Sequence, residues 1–129
     1  MDKTAIRNAA TIIVLRQDQV ETRVLMGQRG AKAAFMPNKF VFPGGAVDAE
    51  DAKIPLHQDI DDLCAQRLGE QGDPNLTHPL CVAAIRELWE ETGLILGTKG
   101  TWNDNVPEDW VTYADRGYVP DASALKFVF

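Results

Sequence analysis

Glu87, Glu90 and Glu91 stand at positions i, i+3 and i+4, with Arg86 immediately before them and Gly93 shortly after. A helix turns by about 100° per residue, so the three carboxylates share one face. The opposite face carries Cys81, Val82, Ile85, Leu88 and Trp89, an apolar stripe fit for burial. Leu80, Ala83 and Ala84 extend the carboxylate face toward the helix start, and the two alanines would leave room there for a bulky ligand. Carboxylates at this spacing repel one another, and the macrodipole disfavours anions near a helix C-terminus. Each effect costs from a few tenths to roughly 1 kcal/mol. A solvated helix can absorb that cost. A divalent cation would turn it into a site, and oxygen-only ligands suit Mg²⁺ or Mn²⁺ rather than zinc. On spacing alone, a solvated acidic face and a metal site are about equally good readings.

The stretch Arg86-Glu87-Leu88-Trp89-Glu90-Glu91-Thr92-Gly93-Leu94, preceded by Phe42-Pro43-Gly44-Gly45, resembles the Nudix box. That pattern is G-x5-E-x7-R-E-U-x-E-E-x-G-U, with U a bulky aliphatic residue. Positions 86–94 match it throughout. The upstream half departs twice: Asp51 stands where the family usually has Glu, and 34 residues separate Asp51 from Arg86 where seven are usual.

The resemblance implies an α/β fold, a Nudix-type α/β/α sandwich with a mixed sheet, and divalent-metal-dependent hydrolysis of a diphosphate linked to another moiety. By the same resemblance Glu87, Glu90 and Glu91 are metal ligands, joined by a carbonyl of Gly45. Gly44 lies on the substrate side. Glu87 is a catalytic residue and a candidate base, although many members carry the base on a later loop. Arg86 has a catalytic-site role that is best read as orienting a glutamate through charge-assisted hydrogen bonds. Asp51 is a shorter partner for Arg86 than the usual Glu. The run Phe35-Met36-Pro37, followed by residues 41–48 and a long insertion, is similar to the Nudix branch that contains peroxisomal coenzyme A diphosphatases. It points to a nucleoside diphosphate derivative as substrate, coenzyme A-type substrates included. Two other readings stand beside the enzyme: a non-catalytic nucleotide-binding sensor or regulatory domain, and an interaction domain docking through Phe35–Pro37.

At 129 residues the chain is long enough for one domain with a sizeable core. Its net charge of −6 argues against general nucleic-acid or membrane-surface binding. A phosphorylated small substrate remains compatible, because a bound metal reverses the local sign. Cys64 and Cys81 fit no zinc spacing and read as reduced thiols. No run approaches transmembrane length and no leader pattern is visible, so a cytoplasmic location is expected.

Read in order, residues 10–16 and 21–29 predict a hairpin around the turn 17–19. Arg29 and Lys32 serve either solubility or a substrate phosphate; Arg29 is the substrate-binding candidate. Residues 40–42 predict a short strand, and the Gly44-Gly45 pair a turn or a close approach to a ligand. Residues 52–79 form the insertion, expected to be peripheral, with a helix over 59–68 stopped by Gly69. His57 and His78 are expected in surface or capping roles. The central helix is expected from about Pro79 to Thr92, closed by Gly93. Residues 97–105 read as a loop and 107–116 as a second helix, with Trp110 and Tyr113 packing on the core rather than stacking on a base. Residues 125–129 read as a strand, after which a Nudix sandwich usually continues. The C-terminal part of the fold is therefore expected to be missing, and activity from this span alone to be weak or nil. A partner chain, for instance in a homodimer, would be another way to complete it.

Overall fold

The computed structural model describes residues 7–18, 20–28, 30–32, 38–103 and 105–128. Arg29, residues 33–37 and Phe129 lie outside the described residues, so the expectations resting on them are not addressed by the structure. The first half is built of short strands: β1 (Ala9–Thr11), β2 (Leu15–Gln17), β3 (Thr22–Val24), β4 (Gly27–Gln28), β5 (Phe40–Val41) and β6 (Gly44–Ala46). The expected hairpin is present, with Leu15 opposite Val24 and Gln17 opposite Thr22. The expected strand 10–16 is divided because the chain changes partners along it. Thr11 faces Gly44 in the β1–β6 ladder, whereas β2 turns to β3. β4 pairs with β5.

Three helices follow the strands: α1 (Asp62–Gln71), α2 (Thr77–Thr92) and α3 (Val111–Asp115). A hairpin of β7 (Gly97–Lys99) and β8 (Tyr118–Pro120) brackets α3. The fold class is α/β as expected. Among the described residues its ladders are four antiparallel pairs, where the resemblance implied one mixed sheet.

Asp61 caps α1 by accepting the Cys64 N–H at 2.9 Å. The helix runs through Gly69, which was expected to stop it, and ends before Gly72. A glycine inside a helix costs only about 1 kcal/mol relative to alanine. α2 has Pro79 in its first turn, where the missing N–H does no harm, and closes on Gly93 at φ 75°. The Gly93 N–H reaches the Trp89 carbonyl at 2.9 Å.

The apolar stripe of α2 is buried as expected except at Trp89, which is half-buried, and the helix is buried on more sides than that. Ala83 and Ala84, expected to face a ligand, are buried as well. α2 lies against β1, β6 and the 3-10 turn Ala49–Lys53, and Ala84 packs with Ile12 and Leu88. Small side chains here bring backbone close to backbone.

The core joins Ile54, Ile60 and Cys64 to Cys81, Val82, Ile85, Trp110, Tyr113 and Ala122. Trp110 and Tyr113 are core residues, as expected, in edge-to-face contact at 5.0 Å. The expected helix over 107–116 is a 3-10 turn, Glu108–Trp110, leading into α3. Burial pushes the Cys81 thiol up to about 11, in keeping with an inert core residue.

Two expectations need correction. Residues 97–99, read as loop, form β7. Residues 125–128 of the expected strand 125–129 have no ladder partner among the described residues: the Leu125 N–H goes back to the Ala122 carbonyl and the Phe127 N–H to Cys64 Sγ.

The insertion is not peripheral, since Ile54, Ile60 and Cys64 are part of the main core. It is also tied in by backbone. The His57 N–H donates to the Pro120 carbonyl at 2.8 Å and the Ala122 N–H to the Gln58 carbonyl at 2.9 Å. His78 Nε2 lies 2.7 Å from the Ile54 carbonyl, which can only accept, so this nitrogen carries the proton. Replacing residues 52–79 by a short connector should therefore abolish cooperative unfolding, measured by chemical denaturation. Ile54→Ala alone should lower stability by about 2–5 kcal/mol.

Lys126 Nζ lies 2.6 Å from Asp61 Oδ2. The Lys126 hydrogen bond, then the Cys64 N–H, lower the Asp61 carboxyl from 3.8 to about 2. For a carboxylate so lowered, the link should be complete above its unfolded value of about 4 and fail only as pH falls through about 2. An NMR titration of the Asp61 carboxyl checks this midpoint.

Candidate active site

Arg86 is the hub of the acidic face. It emerges from the middle of α2, and its side chain is buried at 5% exposure beside that of Asp51 at 1%. Nε donates to Asp51 Oδ1 at 3.0 Å and Nη2 to Asp51 Oδ2 at 3.1 Å, a two-pronged pair. Nη2 also donates to the Ala46 carbonyl of β6 at 3.1 Å. Nη1 reaches Glu87 Oε1 at 3.0 Å and Glu90 Oε2 at 3.4 Å. Asp48 Oδ2 stands 3.5 Å from Nη2. Burial disfavours the charged guanidinium, but the Asp51 hydrogen bonds and charge outweigh it and hold Arg86 above its ordinary value.

Asp51 does more than substitute for the family's glutamate. Its Oδ2 also accepts the Asp48 N–H at 2.8 Å, closing a capping box on the 3-10 turn Ala49–Lys53. That turn is where the insertion begins. It places the shorter carboxylate close enough to α2 for both oxygens to meet the guanidinium.

Gly44 and Gly45 sit in β6, not in a turn, and neither has a positive φ. Their glycine identity is a matter of room. A Cβ on Gly44 would collide with the Ala10 carbonyl across the ladder. A Cβ on Gly45 would stand 2.5 Å from Glu87 Oε1 and 2.6 Å from its carboxyl carbon. β6 and the Glu87 carboxylate are thus in direct apposition. The Gly44 N–H donates to Glu91 Oε2 at 3.3 Å, so the first glycine of the pair and the last glutamate of the motif are also adjacent.

The structure therefore brings Arg86, Glu87, Glu90, Glu91, Gly44 and Gly45 into one neighbourhood, and Arg29 lies outside the described residues. Sequence reasoning missed Asp48 and Asp109. Burial, followed by the Arg86 charge pulling the other way and by Glu87, Asp109 and Asp48, leaves the Glu90 carboxyl above its ordinary value. Asp48 and Asp109 also line a cavity of about 340 Å³ beside Arg86. Asp109 lies in the 3-10 turn Glu108–Trp110, and its approach to Glu90 depends on how that turn docks.

The donor set suits a hard divalent cation in kind: carboxylate oxygens on one helix face, a strand backbone against them, and excess negative charge felt at Glu90. As the side chains stand, Glu87 and Glu90 turn onto Arg86. Among the described residues, no three acidic, histidine or cysteine side chains converge on a metal position. Gathering the three glutamates on a cation would take rotation about their side-chain torsions.

A helix-borne Arg-Glu-x-x-Glu-Glu cluster against a glycine strand is arranged as the resemblance implied, in an α/β fold of the Nudix type. No family model matches the chain. In sequence it is 38% identical over 120 residues to a Caenorhabditis elegans protein described as "Putative nudix hydrolase 7", covering 93% of this chain and 32% of that protein. In structure it matches a crystal structure of a NUDIX hydrolase from Alicyclobacillus acidocaldarius with a TM-score of 0.65 and 25% identity, over 97% of this chain and 61% of that one. The chain thus spans about a third of the curated relative and under two thirds of the solved one. Both likenesses support placement in the Nudix hydrolase superfamily. Among the described residues, no helix is long and apolar enough to cross a membrane.

Removing the Asp51 charge leaves a buried guanidinium short of its main partner. Asp51→Ala should cost about 3–5 kcal/mol in denaturant unfolding. Asp51→Glu should recover part of that loss, because the longer side chain keeps the charge.

Proposed function

We propose that this chain carries the catalytic face of a Nudix pyrophosphohydrolase. In this reading it cleaves the diphosphate linkage of a nucleoside diphosphate-linked substrate, with Mg²⁺ or Mn²⁺ held by Glu87, Glu90, Glu91 and a carbonyl of Gly45. The observation that carries the reading is the buried Arg86, which organises Glu87 and Glu90 from one guanidinium while Asp51 anchors it. Three glutamates on a helix are ordinary at a solvated surface. A buried arginine holding two of them beside a glycine strand is not required by solubility.

When bound, the metal supplies charge neutralisation for the diphosphate and a lowered pKa for the attacking water. The chain's part is positioning. Arg86 restrains two carboxylates from inside, and Gly45 admits the Glu87 carboxylate against β6. Gly44 and Arg29 are assigned to the substrate phosphates. A coenzyme A-type substrate is the narrower form of the proposal and rests on the resemblance carried by residues 35–48.

The test is a screen of diphosphate-linked nucleotides with Mg²⁺ and Mn²⁺. Metal-dependent release of a phosphomonoester is expected. Glu87→Gln should lower kcat by about 100-fold or more with little change in KM. Saturable nucleotide binding without turnover would instead favour the sensor reading. Either metal should also raise Tm by mass action, and the double substitution Glu90→Gln with Glu91→Gln should remove that rise while the fold persists. An undiminished metal response in the double variant would count against the ligand assignment.

A further inference from the structure

The 3-10 turn Glu108–Trp110 lies outside the motif in sequence, yet it stands at the motif's charged side. With Pro107 it lines the cavity beside Arg86, across which lie Asp48 and Asp51. The Asp109 carboxylate is within electrostatic reach of Glu90. Among the described residues it has no ion-pair partner of its own.

The docking of this turn is built from several contacts. The turn leads directly into α3, and α3 is fastened to α2 by Trp89, which occupies the variable position of the motif. Trp89 Nε1 donates to Thr112 Oγ1 at 3.2 Å, and its ring meets Tyr113 edge-on at 5.8 Å. Tyr113 in turn meets Trp110 edge-on at 5.0 Å and donates to the Leu96 carbonyl at 2.9 Å. Gly97 lies so close under the Tyr113 hydroxyl that a Cβ there would collide with it. Trp110 and Tyr113 are both fully enclosed, so the turn cannot carry Asp109 away without disturbing the core. Trp89 also directly precedes Glu90, and the tie therefore acts one residue from the carboxylate that Asp109 approaches.

Like charges held near each other repel, and packing of the turn needs only Trp110 and Tyr113, not an acid at 109. A divalent cation on the acidic face reverses the sign, because each nearby carboxylate then adds attraction.

We infer that Asp109 is a further residue of this site: a carboxylate docked beside Glu90 by Trp89, whose charge strengthens the hold of the acidic face on a divalent cation. It rests on the metal ligands proposed above, and it concerns affinity for the metal rather than turnover.

Titration of the chain with Mn²⁺, followed by the electron paramagnetic resonance of the free ion, needs no substrate. Asp109→Asn should weaken binding about three- to tenfold at low salt, with the near-ultraviolet circular dichroism unchanged. Asp109→Glu keeps the charge and should stay within about twofold of the unsubstituted chain. Added salt should narrow the difference between the Asn variant and the unsubstituted chain, as for a charge acting through space. Glu70→Gln removes an exposed acid on α1 and changes the net charge equally, and it should leave the affinity unchanged. Thr112→Val removes the hydroxyl that Trp89 holds. It should weaken binding as well, and by less when Asp109→Asn is already present. An Asp109→Asn chain that binds Mn²⁺ as tightly as the unsubstituted one, or an equal loss in Glu70→Gln, overturns the inference and leaves the glutamate site standing. An unsubstituted chain that binds no Mn²⁺ at millimolar concentration overturns the ligand assignment itself, and the role of Asp109 with it.

Discussion

The structure depends on keeping one guanidinium charged in a place with almost no water. Moving such an ion out of solvent costs several kcal/mol, and attraction repays that only when the geometry is good and every remaining donor is used. Arg86 meets both conditions. Asp51 takes two donors, Ala46 one, and Glu87 and Glu90 the two on Nη1. Those partners come from β6, from the 3-10 turn after it and from α2 itself, so a single side chain fixes three pieces of backbone. A lysine could not do this, because its ammonium lacks the planar fork that meets a carboxylate with two parallel bonds.

The central helix was legible because three independent signals agreed: an apolar stripe, a proline in the first turn and a glycine at the end. Trp110 and Tyr113 were legible as core for a similar reason. The hairpin β7–β8 was not, since Gly97-Thr98-Lys99 has weak strand character and is held by its surroundings. Tyr113 Oη donates to the Leu96 carbonyl at 2.9 Å, and Asp121 accepts the Thr98 hydroxyl at 2.6 Å. The final apolar run misled in the opposite direction. Residues 125–128 have strand composition but, among the described residues, lack a neighbouring strand to bond with, and β propensity is mostly a statement about such neighbours.

In the site, the residue types were legible and their reasons only partly so. Gly44 and Gly45 were marked as special, but for a turn or for close approach of a ligand. Their actual constraint is lateral space, on one side against Ala10 and on the other against Glu87. No periodicity reports that kind of constraint, because it depends on which two elements come together. Asp51 was recognisable from its offset to Gly45, and its second task, capping the turn it sits in, could be seen only once the turn existed.

The long separation between Asp51 and Arg86 has a consequence for how this motif can vary. Closing a loop of 34 residues rather than seven costs only about 1.4 kcal/mol more in chain entropy. Burying one large aliphatic side chain returns about 1.5–3 kcal/mol, and the extra segment buries Ile54 and Ile60. Lengthening the connection is therefore close to free once the added residues find core to occupy. The ion pair tolerates the distance along the chain because it is set by the two ends of the loop, and what lies between can be rewritten so long as it folds back onto α2.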